Sequence, residues 1–377
     1  MHLRCTSGDI SGPDKTILNS PFYVDRDRIE MHLFYLKKKI DANFRIPERA
    51  RRMGVEHFAF VEESSQLDPV ARARVGRYLD EHGIDILHTH DYKTDWWGWL
   101  LRRRRPHLKL MTTVHGWGVI NTFRERVYYQ LGKLPLYFFD CIVSVNREII
   151  RSLRRIGVPA SRMVFIPNAI DCQVFQRTTP PPGAGQAINI GYIGRLSLEK
   201  QVHVLIEAFG RLREHPALGR LLIAGEGNRL AELKSLVARL NLNNRVSFLG
   251  HVDARWFFEQ VGIFVNPSLK EGLPNTLLES MAMEAVVIAT PVGGIPEVLL
   301  DGQTGLRIRP GQVADLTSKL RWLLEHPQER LAMVRAAREL ITTRYSFRHR
   351  MQRMQQLYIE LCTEVVNGER IGAIPAD

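Results

Sequence analysis

The feature that most constrains this chain is an end-to-end alternation of short apolar runs with amphipathic stretches. Ile84-Asp-Ile-Leu-His-Thr, Leu108-Lys-Leu-Met-Thr-Thr-Val, Asp140-Cys-Ile-Val-Ser-Val and Val164-Phe-Ile-Pro read as strands. Asp68 to Glu81, Asn121 to Leu136 and Asn146 to Ile156 read as helices between them. Such alternation predicts parallel sheets covered on both faces. The segment Thr178-Thr-Pro-Pro-Pro-Pro-Gly-Ala-Gly-Gln186 then breaks the pattern and reads as a linker. The alternation restarts with strands at Ala187 to Gly194, Arg220 to Gly225, Arg245 to Gly250, Gly262 to Val265 and Ala285 to Thr290, and with a helix at Lys200 to Arg213. After Gln312 the chain reads as helical, ending in a long helix from about Phe347 to Val366. At 377 residues there is length for two cores. The expected fold is α/β: a domain over residues 1–177, a linker over 178–186 and a second domain over 187–345, doubly wound and facing each other across a cleft.

Within the second domain, Ser268-Leu-Lys-Glu271-Gly-Leu-Pro274-Asn-Thr-Leu-Leu-Glu279 follows a strand and opens a helix at Pro274. The N–H groups of a first helical turn lack intrahelical partners, and the dipole favours an anion there. Glu271 precedes that helix and Glu279 lies more than a turn inside it. Two acidic groups flanking a phosphate cradle suit a ligand with hydroxyls at both ends and phosphates in the middle, the layout of a nucleotide sugar. Gly194-Arg195-Leu-Ser-Leu-Glu199-Lys200 also links a strand to a helix, and Arg195 and Lys200 suit a diphosphate as planar fork and point charge. Taken alone, that turn reads equally well as a solvated charged loop. Gly225-Glu-Gly-Asn-Arg229 imitates a dinucleotide fingerprint, but Leu230 stands where its third glycine belongs. No G-x-x-x-x-G-K-[ST] occurs, so a P-loop is excluded.

These motifs, with Phe248-Leu-Gly250, Pro291-Val-Gly-Gly-Ile-Pro-Glu-Val and Gly302-Gln-Thr-Gly-Leu in the same order, resemble the retaining glycosyltransferases of family 4, which have the GT-B fold. The resemblance covers nearly all of the second domain and implies two Rossmann-like domains, with the terminal helix, 346–377, packing back on the first. It implies transfer of a sugar from a UDP- or GDP-linked donor, with retention, without a metal ion and without a further cofactor. On that resemblance Arg195 and Lys200 bind the donor diphosphate, Glu279 accepts from the ribose, and Glu271 contacts donor sugar hydroxyls. The backbone of Gly272, Leu273, Asn275 and Thr276 closes on sugar and phosphate. The glutamates are then not a hydrolytic pair, which would require two carboxylates about 5 Å apart flanking one sugar.

The first domain matches less closely. The family's glycine-rich loop after the first strand corresponds to Gly8-Asp-Ile-Ser11-Gly12-Pro13-Asp14-Lys15, with Ser11 where one glycine of the usual pair would stand and Gly12 retained. Thr113-Val-His115-Gly116-Trp117 matches the family's cleft histidine, so His115 is expected at the donor sugar or the acceptor. Pro167-Asn168-Ala-Ile-Asp171 matches a hinge-proximal motif, with Ala169 in place of glycine and Asn168 a further cleft candidate. His88-Thr-His90-Asp91 has metal-ligand spacing and puts both imidazoles on one face of a strand. No third ligand is evident in the sequence, so these read as strand-end residues, with Asp91 lining the acceptor side.

The net charge of +12 admits solubility, a phosphorylated substrate, an anionic membrane or nucleic acid. Trp96, Trp97 and Trp99 before Arg102-Arg-Arg-Arg105 suit an anionic interface, and equally a helix with aromatics in the core and charges in water. Four scattered cysteines without C-x-x-C suggest free thiols in a reducing compartment. No run approaches the ~18 apolar residues of a membrane span. The expected protein is cytoplasmic, with peripheral membrane contact at most. Its partners are a nucleotide sugar and a saccharide, glycolipid or lipid-linked acceptor, not nucleic acid. Rival readings are a nucleotide-sugar epimerase of the same shape and a non-catalytic basic binding module.

Overall fold

The computed structural model describes residues 1–6, 11–39, 41, 43–65, 67–115 and 132–363. Gly8, Gly116, Trp117, residues 121–131 of one expected helix and 364–366 of the last lie outside them. The chain forms two compact units: residues 1–167 with 350–377, and residues 168–349.

In the first unit all strands are parallel: β1 (His2–Thr6), β2 (Leu33–Lys38), β3 (Phe58–Glu63), β4 (Ile86–Thr89), β5 (Lys109–Val114), β6 (Cys141–Ser144) and β7 (Met163–Phe165). Their order, 3-2-1-4-5-6-7, reverses at β1/β4, the switch point where such sheets bind ligands beyond the strand carboxyl ends. Leu3, Phe34, Leu36, Leu87, Leu110 and Ile142 are buried in one core with Trp97 and Leu101 of the helix Tyr92–Arg102. Several helices of this unit start where a side chain satisfies orphan N–H groups. Asp68 accepts from Val70 N and Ala71 N, and Asn146 from Ile149 N. The last helix, Phe347–Thr363, joins this unit from residue 350. Arg350 donates to the carbonyls of Ile166 and Pro167 at 3.1 and 2.7 Å.

The second unit is again all parallel: β8 (Ile188–Ile193), β9 (Leu218–Ala224), β10 (Val246–Gly250), β11 (Ile263–Asn266), β12 (Val286–Ala289) and β13 (Gly305–Arg307), in the order 10-9-8-11-12-13 with its switch at β8/β11. Residues 178–186 lie in this unit, where Arg330 Nη2 donates to the carbonyls of Pro182 and Gly183. The helix expected from Lys200 starts at Val202, because Leu198–Lys200 forms a 3-10 turn and Gln201 takes a left-handed φ of 51°. Both units are thus doubly wound α/β folds of the expected class.

The Trp/Arg stretch is a helix with one aromatic in the core and its arginines paired or in water. Trp97 is fully buried, Arg102 forms a fork to Asp140 at 2.8 and 3.2 Å, and Arg105 pairs with Asp80. Arg103 lies over the Trp99 ring and, like Arg104, is exposed. The four cysteines are free, and no described helix is long and apolar enough to cross a membrane.

Asp95 ties its helix to the sheet. Buried, it accepts from Thr89 Oγ1 at 2.5 Å and Thr112 Oγ1 at 2.8 Å. Desolvation pushes its pKa up to about 7. The folded state therefore holds a proton that the unfolded chain releases near pH 4, and stability falls as pH rises through that window. Asp95→Asn is expected to remove this slope. Its unfolding free energy relative to the parent should rise between pH 5 and pH 8 by on the order of 1–3 kcal/mol, read by urea denaturation; a difference independent of pH would refute the assignment.

Candidate functional site

The carboxyl edge of the second sheet collects most of the expected residues. Lys200 Nζ lies 2.6 Å from Glu271 Oε1, with side-chain exposures of 16% and 10%, so the pair is sheltered and worth more than a surface contact. Asn266, at the end of β11, donates from Nδ2 to the same Glu271 oxygen at 3.3 Å, while its Oδ1 accepts from Ser268 Oγ at 2.5 Å. Leu269 N donates to Glu199 O at 2.8 Å, which joins the two loops. The Arg195 side chain is exposed, and its carbonyl accepts from Tyr192 Oη at 2.8 Å. The carbonyl of Gly272 accepts from Gly294 N at 2.5 Å and that of Leu273 from Asn168 Nδ2 at 2.8 Å. Pro274 is the N-cap, with ψ 132°, and the helix Asn275–Ala282 follows. Asn275 and Thr276 form its first turn, and Glu279 is buried on it.

Glycines permit this convergence. A Cβ on Gly293, where φ is +59°, would meet Glu271 O at 2.1 Å. One on Gly225, at φ +113°, would meet Gly194 O at 2.0 Å. The Gly225 loop is therefore not a phosphate fingerprint that lost a glycine. It is a seat for the Gly194–Arg195 turn, whose Leu196 N donates to Glu226 O at 2.8 Å.

In the first unit, the candidates Ser11, Gly12, Asp91 and His115 are joined through residues the sequence did not single out. Gly12 starts the helix Gly12–Asn19, capped by Ser11, whose N and Oγ both donate to the buried Asp14 carboxylate. Arg4 in the middle of β1 donates to Asp14 Oδ1 at 2.8 Å, to Ser11 Oγ at 3.4 Å and to His90 O at 3.2 Å. Asp91 caps the helix Tyr92–Arg102 through Thr94 N at 3.0 Å, and its second oxygen accepts from Cys5 N at 2.8 Å. Burial raises the Asp91 pKa, against the pull of Arg4.

His115 Nε2 lies 3.1 Å from His90 Nδ1, and His90 Nε2 lies 2.8 Å from His2 Nδ1. His88 bonds Thr113 Oγ1 at 2.8 Å and Tyr358 Oη at 2.9 Å. The third imidazole beside His88 and His90 is thus His2, 86 residues from His88 in sequence and aligned with it in register. One nitrogen from each of the three lies within 4.8 Å of the others, the spacing of a metal-ligand set, although these nitrogens bond to one another or to their neighbours. Burial holds all four imidazoles below their ordinary pKa, His2 at about 3. The nearby Arg4 and Arg350 push His115 the same way.

Residues 187–326 match the family model described as glycosyl transferases group 1, and residues 23–174 match that of glycosyltransferase family 4. A glycogen synthase of Mycobacterium tuberculosis is 28% identical over 315 residues, covering 77% of this chain and 73% of the relative. The putative glycosyltransferase EpsD of Bacillus subtilis is 27% identical over 295 residues, covering 72% and 77%. Among solved structures, Anabaena HepE in complex with UDP superposes with a TM-score of 0.79 at 18% identity, over 95% of this chain and 99% of that one.

The backbone contact at Gly293 generates a stability prediction. Gly293→Ala should lower the unfolding free energy by about 2–4 kcal/mol, since strain adds to a clash with main chain. Gly302→Ala, at φ +72° with nothing within 4 Å, should lose only about 1 kcal/mol. Equal losses in denaturant titrations would show that the seating of the 271–272 turn is not what Gly293 provides.

Proposed function

The chain belongs to the family 4, or group 1, glycosyltransferases, and we propose that it moves a sugar from a UDP- or GDP-linked donor to a saccharide, glycolipid or lipid-linked acceptor, with retention and without a metal ion. The observation that carries this reading is the sheltered Lys200–Glu271 pair, set beside the first turn of the helix Asn275–Ala282 at the carboxyl edge of the second sheet. A departing nucleoside diphosphate builds negative charge on its leaving oxygen. Metal-dependent enzymes neutralise it with a bound cation. Lys200, Arg195 and the first-turn N–H groups offer fixed positive potential of the same kind. Because Glu271 holds Lys200 and is itself held by Asn266, the ammonium is in place before the phosphate arrives.

Glu271, as a paired carboxylate, is suited to accept hydrogen bonds from sugar hydroxyls. Glu279, a turn deeper in the helix, takes the ribose. Gly272, Leu273, Asn275 and Thr276 contribute backbone, and Asn168 steadies them through the Leu273 carbonyl. His115 serves the reacting sugar or its acceptor. The UDP held by HepE supports a nucleotide donor. The exposed Arg103 and Arg104 fit peripheral contact with an anionic membrane surface on the cytoplasmic side, where lipid-linked acceptors would be reached.

Calorimetric titration with UDP and GDP separates these roles. Glu279→Ala is expected to abolish binding, and Lys200→Ala to weaken it about 10- to 100-fold. His115→Ala should bind within twofold of the parent yet lose transfer. Undiminished affinity in Glu279→Ala would sink the ribose assignment.

A further inference from the structure

We propose that His115 is held as the Nδ1–H tautomer, a hydrogen-bond donor and not a base, by a proton-ordered chain running from Thr113 through His88, Tyr358, His2 and His90. This deepens the role given to His115 above and rests on that role for its catalytic meaning, but not for its structure. The chain is continuous. Thr113 Oγ1 meets His88 Nε2 at 2.8 Å, and His88 Nδ1 meets Tyr358 Oη at 2.9 Å. Tyr358 Oη meets His2 Nε2 at 3.3 Å, His2 Nδ1 meets His90 Nε2 at 2.8 Å, and His90 Nδ1 meets His115 Nε2 at 3.1 Å. Thr113, His88, Tyr358, His2 and His90 are buried and His115 is partly so, and every imidazole is kept neutral by desolvation, with Arg4 and Arg350 adding to the bias.

A neutral imidazole has one donor and one acceptor nitrogen, and a phenol has one proton. An order in which Tyr358 Oη accepts from both His88 and His2 would leave the phenol O–H buried with no acceptor among the described residues. With every link occupied, two orders therefore remain. In one, Thr113 donates, each group passes a proton forward, and His115 receives at Nε2 and carries its own hydrogen on Nδ1. In the other, every bond is reversed and Nδ1 of His115 is a bare acceptor. Thr113 decides between them. Its hydroxyl is buried, and His88 is its one partner among the described residues. If Thr113 accepted, its own O–H would be left buried without an acceptor, which costs the full desolvation of that group. If it donates, nothing but a lone pair goes unused.

The donating order thus dominates, and it ends at His115 Nδ1, a buried atom with no partner among the described residues. A buried N–H without an acceptor is a group that awaits one. The chemistry it recognises is an oxygen lone pair, such as a sugar hydroxyl or a phosphoryl oxygen. His90, His2, Tyr358, His88 and Thr113 are positioning residues, since they act through His115.

Long-range proton–nitrogen spectra of the full chain, labelled with nitrogen-15 histidine and assigned for His115 with His115→Gln, read the tautomer directly. Wild type should show His115 protonated at Nδ1 and unprotonated at Nε2. Tyr358→Phe and Thr113→Val, both close in shape to the parent, should convert that pattern into a mixture or its reverse, and Thr113→Ser should restore it. In a transfer assay, Tyr358→Phe should lower kcat about tenfold, the loss of one hydrogen bond, with little change in donor KM. An Nε2–H tautomer in wild type, or the same His115 spectrum in wild type and both variants, would overturn the proposal. So would one equivalent of transition metal retained by the purified protein and lost in His88→Gln, since the linking nitrogens would then be ligands. The spectra stand whether or not UDP or GDP binds, so failure of the donor reading and failure of the proton chain are told apart.

Discussion

Everything placed at the carboxyl edge of the second sheet depends on main chain touching main chain. Parallel strands deliver all their exits to one edge, so the loops after β8, β9, β11 and β12 compete for the same space. They share it because Gly225 seats the Gly194–Arg195 turn and Gly293 seats the Glu271–Gly272 turn, each at a distance no Cβ would tolerate. Hydrogen bonds from Leu196 N, Leu269 N and Gly294 N then lock the loops together. The charged side chains come last in this order of dependence. Lys200 and Glu271 meet because the backbones beneath them are fixed, and the left-handed Gln201 sets where the turn carrying Lys200 ends.

The first unit solves a different problem. It buries a line of polar rings at its switch point, where an unmatched donor or acceptor would be costly. Arg4 and Asp14 hold Ser11 at a helix start, Asp91 spends its oxygens on another helix start and on β1, and His2 and His90 bond to each other. One sheet edge is organised around charge and backbone, the other around buried neutral rings beside one Arg4–Asp14 ion pair. Under the proposed function, that contrast gives the second unit the anion and the first the hydroxyl groups.

Strands and helices with strong periodicity were legible in the sequence, as were β8 to β12 and the loops at their ends. The motif residues Lys200, Glu271 and Glu279 stood out because charges interrupt apolar context there. What the sequence hid has a common physical cause. Leu33–Lys38 and Phe58–Glu63 each end four apolar residues in two charged ones, so their apolar signal is short, yet both pair along their whole length. His2 and Arg4 sit near the start of the chain, and their partners, at positions 88, 90 and 14, are set by strand register and loop closure. Asn266 looked like a strand end and is also the clamp on Glu271. Pairings created by register leave no local trace.

Tyr358 comes from the terminal helix, yet its hydroxyl sits between rings that belong to β1 and β4. A ribosome makes those two strands early and residue 358 only after the whole second unit has emerged. Until then the emerging first unit carries buried imidazoles with an open link, and the carbonyls of Ile166 and Pro167 lack Arg350. The half made first is the half finished last: its closing residues follow the whole of the second unit.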